Sequence, residues 1–410
     1  MNILCLNAYF TPEIVSISAI EKDLILGLVE AGHSLQIITP TPSRGIDKES
    51  YKKYKKIKNE KLYDGRVIVR RFACPREKKN PIIRAIRYFW CNFREYQIAK
   101  RYKDVDVVFA FSTPPTQGLL GTKVAKKLSK KLKKKIPFIY NLQDIFPDSL
   151  VTTGLSKKNS LLWKIGRAIE DKTYRNCDRI ITISESMKQN ILDKGVPEQK
   201  ISVISNWIDV NNVHPVAKDD NKLYEEFGIA KDKFLVVYAG NFGKAQGAHV
   251  LLDVANLLSD NHDVQFVIFG GGSEFDSVKE EASNMQNVII NPLLPADRVS
   301  EVYSLGDVAV ITCKKGVGNS GMPSKTWSIM ACNTPIIASF DLDSDLAKTI
   351  DIANAGICVE PENATALKEA ILFAKENKLK ANGREYVIEH ASKEKCVDRY
   401  VEEITQVTRS

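Results

Sequence analysis

Two lysines in this 410-residue sequence stand where the neighbouring residue types suit a bulky anion. Lys244 lies in Gly240-Asn241-Phe242-Gly243-Lys244-Ala245-Gln246-Gly247, directly after the apolar run 234–239. Glycines let the backbone approach a ligand closely, N–H groups at a helix start point toward negative charge, and the lysine supplies the countercharge. Neither GxxxxGK[ST] nor GxGxxG is present, so the run is neither a Walker loop nor a dinucleotide fingerprint. Lys325 lies in GVGNSGMPSKTWSIMACNTP, residues 316–335. Pro323 suits the first turn of a helix, which leaves the N–H groups of Asn319, Ser320 and Gly321 for a diphosphate, with Lys325 adding charge. Between the two, Gly270-Gly271-Gly272-Ser273 follows the run 264–269 and ends on Glu274 in a capping position. An ordinary tight turn accounts for that cluster equally well, but two glycine turns at the carboxyl ends of neighbouring strands would line one crevice.

A second set of candidates belongs to the first half. Residues Asn7 to Glu13 follow the apolar run 2–6, and Pro12 and Glu13 are expected to shape the entrance for an acceptor. Gln143, Asp144 and Asp148 follow the run 137–142, again at a carboxyl end. A carboxylate there can orient an acceptor hydroxyl, which makes Asp144 the candidate on the catalytic face; a helix cap is the alternative. His33, His214, His249, His262 and His390 sit in no motif and read as surface or satisfied histidines.

Alternating elements must position these residues. Short Val/Ile/Leu-rich runs recur, each followed by a longer amphipathic stretch, the pattern of strands and helices around a buried parallel sheet. Strands are expected near 2–6, 34–39, 66–71, 106–111, 137–142 and 179–183 in the first half, with helices near 17–31, 82–102, 117–133, 160–175 and 185–194. The second half repeats the theme from 201–204 through 234–239, 264–269, 287–290, 307–311, 335–339 and 356–359. Helices fall there near 246–258, 274–284, 296–304, 323–332, 344–352, 363–376 and 392–407. The expected organisation is two doubly wound α/β domains, 1–196 and 197–390, with 391–410 a last helix crossing back to the first.

Composition narrows the class. A hydrophobic share of 44% and an aromatic share of 8% are ordinary for a folded, water-soluble chain. The eight cysteines are scattered without a CxxC pair, so they read as reduced, mostly buried thiols, and no metal site is expected. Neither a signal peptide nor a run of about 18–20 apolar residues is legible. Charge is uneven: residues 1–200 hold 39 Lys and Arg against 20 Asp and Glu, a net +19, while residues 201–410 hold 20 against 30, a net −10. The first half is built to meet something anionic.

The segments YAGNFGKAQG (238–247), FGGGSE (269–274), NPLLP (291–295) and GMPSKTWSIMACNTPIIAS (321–339), with ILCLNAYFTPE (3–13), YNLQDIFPDSL (140–150) and ISNWID (204–209), resemble glycosyltransferase family 4. The similarity runs from Met1 to about Arg399 and is strongest to the bacterial branch that builds O-antigen and capsule repeat units, including the N-acetyl-L-fucosamine transferases. It implies a GT-B fold, two facing Rossmann-like domains with a cleft between them. It also implies a retaining, metal-independent transferase without cofactor, and a nucleotide-sugar donor, expected to be UDP-linked, held by the second domain. Carried onto this chain, Lys244 and Lys325 would neutralise the donor diphosphate, with Ser320, Gly321 and Met322 supplying N–H groups. Gly240, Asn241 and Gly243, then Gly271, Gly272 and Leu294, would line the donor. The family usually has Arg and Lys in the first loop; here those positions are Asn241 and Gln246. Ser328 stands where the second of its paired glutamates would, so ribose binding by a glutamate does not carry over. Asn319, Ser324 and Ser328 complete the expected donor side, and Asn7, Pro12, Glu13 and Gln143 the acceptor side.

The basic segments 51–61, 76–103 and 123–135 fit an anionic membrane surface. In 82–102 the residues Ile82, Ile83, Ile86, Tyr88, Phe89, Trp90, Phe93 and Tyr96 interleave with Arg84, Arg87, Arg94 and Arg101, a composition suited to lipid headgroups. The expectation is a cytoplasmic protein, peripheral at the inner face of the plasma membrane, acting on a lipid-pyrophosphate-linked saccharide. A nucleic-acid-binding protein would use the same lysines, but no RNA-binding or helix-turn-helix motif accompanies them. A GT-B sugar-nucleotide epimerase and a silent membrane adaptor are the remaining alternatives.

Overall fold

The computed structural model describes residues 1–13, 15, 17–77, 81–152 and 156–409, and for Pro81, Ile82, Thr152 and Ser320 the backbone alone; part of the basic segment 76–103 therefore lies outside the described residues. The chain divides into two compact units, Met1–Ser205 with Cys396–Ser410, and Asn206–Lys395.

The first unit holds strands β1 (Asn2–Leu6), β2 (Ser34–Pro40), β3 (Asn59–Leu62), β4 (Val67–Phe72), β5 (Val107–Phe111), β6 (Phe138–Leu142), β7 (Arg179–Thr182) and β8 (Ile201–Val203). They form one sheet in the order β3-β4-β2-β1-β5-β6-β7-β8, parallel except where β3 meets β4. Strands of such a sheet are covered on both faces and read as unbroken apolar runs; β5 and β6 are buried at every position. Helices α1 (Ser18–Glu30), α2 (Lys48–Lys56), α3 (Pro81–Ala99), α4 (Thr116–Leu132), α5 (Asp148–Thr152), α6 (Leu161–Asn176) and α7 (Glu185–Asp193) complete the unit. Ser184 caps α7 by accepting the Met187 N–H at 3.3 Å. Two expectations change here. Strand 201–204, assigned to the second half, supplies β8, which pairs in parallel with β7. The basic segment 51–61 is not featureless: Asp47 accepts the N–H groups of Glu49 and Ser50 at 2.7 and 2.8 Å and starts α2.

The second unit has β9 (Phe234–Asn241), β10 (Val264–Gly271), β11 (Val288–Pro292), β12 (Val308–Thr312), β13 (Ile336–Ser339) and β14 (Gly356–Val359), in the order β11-β10-β9-β12-β13-β14. Its pairings are parallel. Its helices are α8 (Leu223–Glu226), α9 (Val250–Leu257), α10 (Phe275–Ala282), α11 (Val299–Ser304), α12 (Lys325–Ala331), α13 (Asp345–Ile352), α14 (Ala364–Asn377) and α15 (Gly383–His390). Strand order reverses at β9, so the connections leaving β9 and β12 part and open a crevice at their carboxyl ends. The first sheet reverses in the same way between β1 and β5.

The last helix, α16 (Lys393–Arg409), belongs to the first unit from Cys396 onward. Asn141 Nδ2 donates to the Tyr400 hydroxyl at 2.8 Å, Arg179 pairs with Glu403 at 3.2 Å, and Val397 fills the space a side chain at Gly27 would need. Among the described residues no helix is long and apolar enough to cross a membrane.

Candidate functional site

Three segments build the crevice of the second unit. β9 and β10 keep their ladder beyond the apolar runs: Gly270 pairs with Gly240, and Gly271 with Asn241, so these glycines end strands. Phe242 stitches the two turns together, its N–H donating to the Gly271 carbonyl at 2.6 Å and its carbonyl accepting the Glu274 N–H at 2.9 Å. Gly272 has φ +119, and a Cβ there would come within 2.3 Å of Asn241 Oδ1, so the turn requires glycine. Glu274 occupies the N-cap position of α10, but its side chain makes no cap bond. The helix after β9 starts at Val250, not near 246, and residues 242–249 form a loop fastened to the segment that follows β12 by the Lys314 N–H, 3.0 Å from the Ala245 carbonyl. Lys244 is exposed in that loop, without an ion-pair partner among the described residues. Asn241 Nδ2 donates to Gln246 Oε1 at 3.1 Å, so the two residues that replace the family's Arg and Lys satisfy each other.

The third segment is held from below by acids that the sequence pattern did not disclose. Gly316 and Gly318 donate their N–H groups to Asp341 at 2.9 and 2.7 Å, and Asn319 Nδ2 donates to Asp343 at 3.2 Å. Helix α12 starts at Lys325, later than Pro323, whose carbonyl accepts the Thr326 N–H at 3.0 Å. Lys325 reaches back to β9. Its Nζ lies 4.1 Å from the centre of the Tyr238 ring, and a Cβ on Gly240 would meet that nitrogen at 2.3 Å. Some of the residue stays exposed, yet its tip is enclosed enough that desolvation lowers its pKa to about 7. The ring face favours the ammonium by roughly 0.5–2 kcal/mol, and no carboxylate pairs with it among the described residues. An anion entering the crevice would supply the missing countercharge.

Around this centre, Leu293 donates its N–H to the Gly270 carbonyl at 2.9 Å, while Leu294 and Met322 are half-buried against the unit's core. Ser324 is exposed and Ser328 half-buried on α12; the side chain of Ser320 lies outside the described residues.

The first-unit candidates differ in their surroundings. Glu13 is buried, and its carboxylate accepts the N–H groups of Ser43 and Arg44 at 2.7 and 2.9 Å, so it pins a loop. Burial raises its pKa against those hydrogen bonds. Asn7 is also buried and donates to Glu21, whose carboxyl burial pushes far above the usual range. Pro12 and Glu13 do line a cavity of about 330 Å³ with Phe10, Ile25 and Tyr63. Gln143 donates to Asn141 Oδ1 at 2.6 Å and so leads to Tyr400. Asp144 is exposed; partial desolvation of its carboxyl raises the pKa, while the Ser149 side chain and the Ile145 N–H pull it down. Asp148 is taken up by Lys194 at 2.8 Å. Arg87, expected among the lipid-facing arginines, is 1% exposed and donates to the Pro75 carbonyl at 3.2 Å.

Comparison with known proteins follows the division of the chain. The Glycosyltransferase Family 4 model matches residues 22–212, and the Glycosyl transferases group 1 model matches residues 219–394. A curated relative, the putative colanic acid biosynthesis glycosyl transferase WcaI of Escherichia coli K12, is 23% identical over 98% of this chain and 100% of its own. Among solved structures, sucrose-phosphate synthase from Thermosynechococcus elongatus superposes with a TM-score of 0.75 at 15% identity, over 99% of this chain and 98% of that one. Anabaena Alr3699/HepE in complex with UDP gives 0.69 at 16% identity, over 99% of this chain and 100% of that one. With both sheets, both family models and these likenesses in agreement, the chain is a glycosyltransferase of the GT-B fold.

Proposed function

We propose that this glycosyltransferase moves a sugar, with retention of configuration, from a UDP-linked donor in the second unit to a lipid-pyrophosphate-linked saccharide held by the first. The observation that carries the donor half is Lys325, a desolvated cation set against Tyr238 and Gly240 at the point where the second sheet reverses order. In a retaining transfer on one face of the sugar, the C1–O bond to the diphosphate breaks as the C1–O bond to the acceptor forms. The acceptor hydroxyl proton passes to the departing phosphate oxygen. Stabilising that leaving group is the main demand on the protein, and a partly dehydrated lysine meets it better than one in water. Lys244 adds an exposed charge from the loop, and Asp144 orients the acceptor hydroxyl.

HepE has been solved with UDP, and WcaI is named for colanic acid biosynthesis; both support this reading of donor and setting. The sugar we favour is an N-acetylated hexosamine or its 6-deoxy form, in surface polysaccharide synthesis, with no metal required. Docking on an anionic bilayer would bring a lipid-linked acceptor within reach. The relatives bear transferase names, which sets the epimerase reading behind.

A thermal-shift panel of nucleotide-sugars tests the donor half. UDP and a UDP-N-acetylhexosamine should raise Tm by several degrees at saturation, with or without EDTA, and Lys325→Ala should abolish the shift without lowering the unliganded melting point. A full response in the alanine variant, or none to any nucleotide in the wild type, overturns the assignment.

A further inference from the structure

The acceptor-side loops of the first unit carry a charge arrangement that the transfer reaction has not yet used. The segment after β4 lies along α3: Trp90 Nε1 donates to the Ala73 carbonyl at 3.1 Å, Arg87 Nε to the Pro75 carbonyl at 3.2 Å, and Arg84 pairs with Glu77 at 3.1 Å. The loop after β2 meets it, since Ser43 Oγ accepts from both the Glu77 N–H and Arg87 at 3.4 Å. Arg44 and Arg76 flank that contact, one on each loop, and both are exposed.

Each of these two guanidinium groups is held by an aromatic ring. Arg44 lies 5.5 Å from the centre of Tyr9, and Arg76 lies 4.3 Å from the centre of Tyr51. Glu77, the nearby carboxylate, is already occupied by Arg84 and by the Tyr9 hydroxyl at 2.9 Å. Neither Arg44 nor Arg76 has a carboxylate partner among the described residues. The buried Glu13, which accepts the Arg44 N–H, fixes the backbone of that loop.

The exposed face of α3 carries an apolar stripe, joined to the loop after β4 where Trp90 donates to the Ala73 carbonyl. Ile86, Phe89, Trp90 and Phe93 are 61%, 70%, 43% and 52% exposed, at i, i+3, i+4 and i+7. Each guanidinium offers a planar donor fork that suits phosphoryl oxygens, and the α3 stripe suits hydrocarbon.

We propose that Arg44 and Arg76 bind the phosphoryl group of an acceptor whose phosphate or diphosphate is esterified to a hydrocarbon chain, the chain running along the Ile86–Phe93 stripe. This rests on the lipid-linked acceptor of the reading above and names the residues that would recognise it. The arrangement fixes the charged end of the acceptor at the carboxyl end of the first sheet, so the saccharide beyond it starts from a defined point.

The full chain, saturated with UDP so that the anion site of the second unit is filled, would be titrated with farnesyl diphosphate, farnesol and inorganic pyrophosphate, following tryptophan fluorescence, to which Trp90 contributes. Farnesyl diphosphate should bind more tightly than either fragment. Arg44→Ala with Arg76→Ala should weaken it at least tenfold, leaving farnesol and UDP affinities as they were; the Lys/Lys pair should recover only part, because an ammonium lacks the guanidinium fork. Arginine-independent binding of farnesyl diphosphate, or inorganic pyrophosphate binding as tightly as the lipid, overturns the proposal while leaving the donor assignment intact. Failure of the wild type to bind UDP counts against the donor assignment instead.

Discussion

Lys325 carries opposite consequences for binding and for folding, and both can be read from its surroundings. With its pKa near 7, about half of the unliganded protein holds the ammonium at neutral pH. Binding a diphosphate requires the charged form, so above pH 7 a proton must be taken up on binding. UDP affinity should therefore fall roughly fivefold between pH 7 and pH 8 and level off below pH 6. Folding runs the other way. The unfolded lysine titrates near 10.5 and the folded one near 7, so between these values the unfolded chain binds more protons, and this residue's contribution to stability rises with pH across that window. Lys325→Arg separates the two effects, since a guanidinium stays charged throughout. Isothermal titration at pH 6, 7 and 8 should show the slope in the wild type and its loss in the arginine variant; an unchanged slope would assign the titration to another group.

At the scale of elements, the donor crevice depends on close approach more than on bonds from side chain to side chain. A methyl group on Gly240 would displace the Lys325 ammonium, and because the obstacle is the tip of a flexible side chain, the fold should tolerate it. Gly240→Ala should thus weaken UDP binding by roughly tenfold, about 1.4 kcal/mol, with a Tm within a few degrees of the wild type. A large drop in Tm would show that the glycine serves the sheet and not the lysine.

Much of this level was legible beforehand, because strands buried on both faces leave runs such as Val107–Phe111 that no other element explains as well. The glycine turns and Lys325 were legible for a similar reason: their residue types have few other uses. What escaped depended on partners distant in sequence. Asp341 and Asp343 follow an unremarkable strand, and only folding brings them under Gly316, Gly318 and Asn319. Glu13 reads as an acceptor-side residue because it follows the carboxyl end of β1; the loop N–H groups that its carboxylate also accepts lie about 30 residues on and leave no mark in the local pattern. Ile201–Val203 is too short to show a period, so its sheet was decided by its pairing with β7. Arg87 belonged to an apparent lipid-facing set until Pro75, Ser43 and Glu77 were seen to enclose it.

For the molecule as a whole, the partition of charge is the widest feature, net +19 over residues 1–200 against −10 over the rest. Lysines alone would give a surface that any polyanion could occupy, but this half also exposes apolar side chains. The α3 stripe is one group; Leu161, Leu162 and Ile165 on α6, 76%, 50% and 51% exposed beside Lys157, Lys158 and Lys164, are a second that composition did not single out. Both helices pack against α4, so the two groups belong to one helical layer. Basic residues contribute about 1 kcal/mol each near an anionic bilayer and are screened by salt, whereas inserted aromatic surface is not. Binding to vesicles with a third anionic phospholipid should therefore fall at 0.5 M salt yet keep a salt-resistant remainder. Phe89→Ser with Phe93→Ser should remove most of that remainder, by roughly tenfold in partitioning, with only a small change in Tm, because more than half of each side chain is already exposed. Co-sedimentation at two salt concentrations gives the answer: a variant that sediments like the wild type would mean that α3 does not enter the bilayer, and equal binding to neutral vesicles would mean that the charge partition serves something else.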